Sequence, residues 1–283
     1  MRLYNNPEKQ ERECSTCHQI KPYSEFKNRS DLPHIKRSIC KTCNIRLEAY
    51  RLQMKSWIHK IHAIRFVTND QNRCQICNEV GIINLPMLDF HHPDPELSTE
   101  SAREEGFWRS VRYKNWSIIK NEIIKQKVIV ICRNCHMKLQ SNFFYKYIDI
   151  ILQIHVPISI TPILIPDHAI RQGIQRIVRK KLIILDLWKG TCTICGFGIS
   201  FNNIDNLPAL EIHHSNPLTK TQAISHYFKT VSDMIKLRNI ILNENCTCLC
   251  RNCHIMIQST FFQENKSEIF SKYCEKHGSF EFY

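Results

Sequence analysis

Apolar and polar positions fall into short runs of two different periods. Strict alternation at Leu88-Asp89-Phe90-His91-His92, and again at Leu210-Glu211-Ile212-His213-His214, predicts two short strands, and the apolar run 128–131 predicts the partner strand of the first. Helical spacing joins Leu47, Tyr50, Met54, Trp57, Ile58 and Ile61, with Arg46, Arg51, Lys55 and Lys60 between them, so a basic amphipathic helix is predicted there. A second such helix carries Ile170, Ile174, Ile177, Val178, Leu182 and Leu185 among Arg171, Arg176, Arg179, Lys180 and Lys181, with Asp167 as its N-cap. The segments after Cys135 and Cys253 read as helices. Pro157, Pro162 and Pro166 mark a boundary ahead of the second basic helix. The most apolar stretch, 148–166, contains Asp149, His155 and those three prolines, which excludes a membrane span.

The chain repeats itself. CRNCHMKLQSNFF at 132–144 recurs as CRNCHIMIQSTFF at 250–262. In both copies the outer cysteines, Cys74 to Cys135 and Cys192 to Cys253, lie 61 residues apart, while the His-His pair between them shifts by four. Fixed ends with elastic loops suggest a metal-clamped frame.

Twelve of the 15 cysteines form six Cys-x-x-Cys pairs: Cys14/Cys17, Cys40/Cys43, Cys74/Cys77, Cys132/Cys135, Cys192/Cys195 and Cys250/Cys253. They group into three tetrads, and four thiolates in two knuckles suit closed tetrahedral Zn²⁺. The polar, charged start of the chain lacks a secretory leader, so an intracellular, non-secreted protein is expected and a disulfide framework is not. A module this small gains roughly 3–5 kcal/mol from its core, whereas zinc contributes about 10–16 kcal/mol, so the metal decides folding. Cys246, Cys248 and Cys274 fall outside the scheme and read as buried thiols.

A formal net charge of +13 points to a polyanionic partner, and nucleic acid, chiefly double-stranded DNA, is the expected one. Arg109 and Arg112 lie in a segment that interleaves cations with Phe107, Trp108, Tyr113 and Trp116; the segment suits a nucleic-acid backbone, and equally a helix whose tryptophans are core. Arg133 and Arg251, inside the knuckles, are candidates for phosphate contact, and Asn134 and Asn252 read as turn residues. Adjacent histidines at a strand end point to opposite sides, so one ring from the strand and one from the following helix, His136 or His254, can share a metal ion.

The order Cys-x-x-Cys, apolar-acid-apolar-His-His, Cys-Arg-Asn-Cys-His resembles the HNH endonuclease family, over about 72–147 and about 190–263. The resemblance implies two tandem ββα-metal, treble-clef-like domains in an α+β chain. It implies that His91 with His136, and His213 with His254, hold a catalytic divalent ion, Mg²⁺ or Mn²⁺, one per module. His92 and His214 would be the general bases, and Asn245 would be the family's middle Asn. Two departures stand out: Gln140 and Gln258 replace a further histidine, and Lys127 replaces Asn in the first copy, where it could contact phosphate. CSTCHQIKPYSEF followed by CKTC resembles a zinc knuckle found ahead of some HNH nucleases. The domain map is a four-cysteine zinc knuckle at 1–45, a basic linker helix at 46–66, module 1 at 67–150, a linker at 151–166, module 2 at 167–265 and a tail at 266–283. The function implied is double-strand DNA cleavage by a covalent pseudo-dimer that needs no second chain. The alternatives are a non-catalytic zinc protein that binds DNA or RNA, and a nickase in which only module 2 cuts.

Overall fold

Very short strands tied to long helices make up this chain. The computed structural model describes residues 11–32, 35–155 and 165–278, and the chain divides into one unit ending at His59 and another beginning at Lys60. In the first unit β1 (Glu11–Glu13) pairs antiparallel with β2 (Ile20–Pro22), and β3 (Phe26–Asn28) with β4 (Lys36–Cys40). β4 runs directly into α1 (Lys41–Thr68), which contains the expected linker helix. Strands this short bury little, and the buried cluster is Cys14, Phe26, Cys40 and Cys43, with Cys17 and Ile39 against it. The sulfur cluster is itself the core.

The second unit holds the duplicated modules. Module 1 runs β5 (Leu88–His91), α2 (Glu100–Glu105), α3 (Phe107–Val111), α4 (Trp116–Gln126), β6 (Ile129–Cys132), α5 (Arg133–Leu139), α6 (Asn142–Lys146) and α7 (Ile148–Gln153). Module 2 runs α8 (His168–Trp188), β7 (Leu210–His214), α9 (Ile224–Thr230), α10 (Met234–Asn243), β8 (Cys246–Cys250), α11 (Arg251–Gln258) and α12 (Thr260–His277). Each module is thus an antiparallel hairpin followed at once by a helix, and the chain as a whole is mixed α and β. The register pairs Leu88 with Cys132 and His91 with Ile129 in module 1, and Leu210 with Cys250 and His214 with Cys246 in module 2.

The expected strand at 128–131 starts one residue late. Asp167 caps α8 as expected, its carboxylate accepting from the Ile170 N–H at 2.9 Å. Pro157 and Pro162 lie outside the described residues. Residues 266–277, assigned above to a tail, are instead the last two-thirds of α12, because Ile269, Phe270 and Tyr273 supply a buried helical stripe. Among the described residues no helix is long and apolar enough to cross a membrane.

Three groups of four cysteines could each hold a metal ion: Cys14, Cys17, Cys40 and Cys43; Cys74, Cys77, Cys132 and Cys135; Cys192, Cys195, Cys250 and Cys253. Four sulfurs about 2.3 Å from a tetrahedral Zn²⁺ are about 3.8 Å apart. The Cys77–Cys132 and Cys195–Cys250 sulfur separations are 3.9 and 3.7 Å, so the spacing fits that ion. Backbone N–H groups point at the sulfurs, Cys40 to Cys14 at 3.3 Å and Cys132 to Cys74 at 3.1 Å, as a thiolate requires.

The two modules meet along a reciprocal seam. The N–H of Asn134 donates to Oδ1 of Asn252 at 3.1 Å, and the N–H of Asn252 donates to Oδ1 of Asn134 at 3.0 Å. α11 packs on the 3-10 turn Ile82–Met87 of module 1, and α5 on the 3-10 turn Leu207–Ala209 of module 2. Exchanged identical contacts define a local two-fold, the arrangement of an isologous dimer built within one chain. Asn134 and Asn252 are therefore not turn residues. They sit in the first turns of α5 and α11, where unpaired helix N–H groups need acceptors and each module supplies the other's.

Elemental analysis of the purified chain is expected to give three zinc ions, and stripping them with a chelator to abolish most helical circular dichroism; retention of the fold without metal would overturn the sulfur-core account. Asn134→Ala and Asn252→Ala are each expected to cost about 1–3 kcal/mol in urea unfolding by orphaning a buried N–H. Each substitution removes a different one of the two bonds, so the double variant is expected to cost about the sum of the singles; a double variant no less stable than either single would contradict the paired seam.

Candidate active site

Side chains two apart on a strand share a face. In β5 this puts Asp89 and His91 on the side facing α5, and Phe90 and His92 on the side facing α3 and α4. His136 lies in the first turn of α5, and its Nδ1 meets the Asp89 carboxylate at 3.0 Å. The His91 and His136 ring centroids are 5.0 Å apart. Module 2 repeats every part: Glu211 receives His254 Nδ1 at 2.5 Å, and the His213 and His254 centroids are 4.6 Å apart. The expected ligand pairs are brought together in both copies.

The carboxylates behave as fixed anions. Burial works against the charge on Asp89, but the hydrogen bond from His136 and the charges of Arg133 and Lys60 prevail and hold it at about 2. Glu211 is likewise held at about 2, with His254 and Arg251 overcoming its burial. A carboxylate accepting from Nδ1–H fixes the tautomer and leaves Nε2 with its lone pair free to ligate. His91 and His213 are pushed below the usual histidine range, by burial first and then by the neighbouring rings, so both favour the neutral form a metal needs. The amides of Gln140 and Gln258 sit 3.0 and 2.9 Å from Nε2 of His136 and His254. An amide flip would turn Oε1 toward the same point, giving a donor set of two imidazoles and one carbonyl oxygen. The two imidazoles suit a first-row transition ion better than Mg²⁺, which favours all-oxygen sites.

On the opposite face of the strand, Nε2 of His92 meets Oε1 of Gln126 at 2.7 Å, and Nε2 of His214 meets the Glu244 carboxylate at 2.6 Å. Gln126 is oriented by donating to Glu122 at 2.7 Å. Glu244 is held below its usual range because hydrogen bonds from Thr221, Tyr227 and His214 outweigh its burial. His214, Glu244 and Cys246 also lie close enough to share an ion; module 1 has Gln126 and Val128 at the matching positions. Sequence reasoning missed Gln126 and Glu244. It pointed to their neighbours, Lys127 and Asn245, and both of these adopt left-handed backbone (φ 46° and 51°) in the turn from helix to strand. Among the described residues neither side chain hydrogen-bonds the histidine, and the left-handed turn is the role the geometry gives both.

The remaining candidates are placed as follows. Arg133 is paired to Asp89 at 2.6 Å and Arg251 to Glu211 at 2.7 Å, so both guanidiniums brace the carboxylates that orient the ring. Arg109 is exposed on α3, while Arg112 is half-buried and stacks over Tyr113. Trp108 packs on Phe90 and Trp116 on His62, so both tryptophans serve packing. In module 2 an open cavity of about 560 Å³ is lined by His213, His214, His254 and Gln258 together with Lys180, Lys220 and Arg251. The candidate ligands, the candidate base and three cations thus share one concave surface.

Sequence periodicity puts Lys60 and Lys180 on solvated faces, yet both are drawn inward. Lys60 is 4% exposed, and its ammonium donates to the Leu85 and Leu88 carbonyls at 3.1 and 2.7 Å. Lys180 donates to the Leu207 carbonyl at 3.1 Å, the matching Leu-Pro turn of module 2. The signal available was the repeated Leu-Pro-x-Leu ahead of each His-His strand, with a lysine 25 residues before it in one copy and 27 in the other. Comparison with protein-family models, curated proteins and solved structures finds no match to this chain.

Burial pushes Lys60 down to about 7, with Asp89 pulling against it, and Lys180 down to about 8. An unfolded lysine holds its proton to about 10.4. Between roughly pH 7 and 10 the unfolded chain therefore binds more protons, so stability is expected to rise with pH across that window. Thermal unfolding from pH 7 to 10 checks this; Lys60→Met with Lys180→Met should reduce the rise and leave the share of buried Lys181, which burial also pushes down to about 8, and an unchanged slope would refute the burial argument.

Proposed function

We propose that this chain is a metal-dependent DNA endonuclease of the HNH type, with two ββα-metal modules acting as a covalent pseudo-dimer on the two strands of a duplex. The observation that carries the reading is that one hydrogen-bonded assembly is built twice: a carboxylate fixes the helix histidine against a strand histidine, and the next histidine engages a separate acceptor on the far face. A packing accident would not preserve five partners in two copies whose loops differ.

Chemically, Gln126 accepts from Nε2–H of His92 and leaves Nδ1 to take the proton of an attacking water. Glu244 does the same for His214, and its charge also stabilises the imidazolium formed. Asp89 and Glu211 fix the tautomer of His136 and His254 through Nδ1, and these rings, with His91 and His213, are the residues that would hold the ion. When bound there, the ion supplies Lewis-acid stabilisation of the charge that grows on the scissile phosphate. Lys220 faces the same cavity in module 2 and would add positive potential for a polyanionic substrate. In-line attack would leave 5′-phosphate and 3′-hydroxyl ends.

A second reading, a nickase with module 2 as the cutting half, is favoured by one asymmetry: the proposed base has a carboxylate partner in module 2 and an amide in module 1.

Supercoiled plasmid with Mn²⁺ or Mg²⁺ separates these cases. Wild-type protein is expected to give linear product, and His92→Ala or His214→Ala alone to give nicked circles. The pair together should lose about 10²- to 10⁴-fold in rate while retaining zinc. Undiminished cutting by the double variant removes the mechanism; nicked product from wild type, abolished by His214→Ala alone, selects the nickase.

A further inference from the structure

The unit ending at His59 carries a groove for which the nuclease reading has no use. It encloses about 630 Å³, and Arg12, Arg29, Lys36, Arg37 and Arg51 line it against a single carboxylate, Asp31. Four thiolates on one Zn²⁺ leave roughly two net negative charges nearby. Five cations exceed that charge and Asp31 combined, so balancing the metal cluster does not account for them.

Part of this set builds the wall. Arg12 donates to the Lys36 and Arg37 carbonyls at 3.2 and 3.3 Å, tying the first hairpin to β4. Arg37 donates to Oδ1 of Asn44, which is buried in the first turns of α1, and Arg29 pairs with Asp31. Lys36 and Arg51, by contrast, have no acidic partner among the described residues. A rigid hairpin and a helix thus present unneutralised cations along one open channel, beside the start of a long helix whose dipole adds positive potential.

We propose that this groove binds the phosphate backbone of duplex DNA, making the N-terminal zinc unit a docking element separate from the cutting modules. The choice of duplex DNA as occupant rests on the nuclease reading; the anion-binding groove does not.

The test uses the full chain and a labelled duplex without added Mg²⁺ or Mn²⁺. Lys36→Glu with Arg51→Glu is expected to weaken binding tenfold or more at salt on the order of 0.1 M, and to lower the salt slope of log Kd by about two. Lys189→Glu with Lys276→Glu, an equal charge change on exposed helix-end positions of the second unit, should cost less than threefold. If charge reversal releases zinc, Lys36→Ala with Arg51→Ala carries the same expected slope change. Equal losses in both pairs, or no loss in the groove pair, overturn the proposal. So does groove-dependent binding of anionic vesicles or RNA with duplex affinity unchanged. Groove-dependent duplex binding by a wild-type chain that leaves plasmid intact keeps this inference and removes the nuclease reading.

Discussion

A sulfur cage that joins the end of a strand to the start of a helix is the constraint on which everything else here depends. Cys132 is the last residue of β6, the N-cap of α5 and a member of the second tetrad; Cys250 is likewise the last residue of β8, the N-cap of α11 and a member of the third tetrad. One residue with three duties leaves little freedom in the angle between hairpin and helix. That angle carries His136 over Asp89 and His91, and His254 over Glu211 and His213. Without the cage, a four- or five-residue hairpin has too little apolar surface to hold such geometry.

Around the cage, charge is arranged in shells rather than scattered. A buried lysine from the leading helix approaches from one side, an arginine from the knuckle from another, and both face the carboxylate that orients the helix histidine. The carboxylate stays ionised because this company outweighs its desolvation. These cations therefore do internal work, and the overall excess of positive charge has to be looked for elsewhere on the surface.

Much of this was legible in the chain. Period-two alternation placed the His-His strands, the duplicated knuckles gave the tetrads, and helical spacing with Asp167 gave α8. What escaped was everything set by contacts distant in sequence. Gln126 and Glu244 lie more than thirty residues and thirty residues, respectively, from the histidines they touch, and no local pattern marks them. Asn134 and Asn252 resembled knuckle-turn residues because each has its acceptor in the other copy. Lys60 and Lys180 obeyed the spacing of a solvated face, yet the leading helices are enclosed on that side by the Leu-Pro turns. Periodicity reports which face is polar; it does not report what later covers that face.

The seam between the copies has a consequence for how the halves can change. A dimer of identical chains must carry any substitution on both sides of its axis at once, so a change to one half is imposed on the other. Here the halves are encoded separately, and the asparagines at the joint are the same in both while Gln126 faces Glu244 across the symmetry. Fusion keeps the axis and releases the sequence from it, so one half's histidine site can drift without loosening the contacts that position its twin.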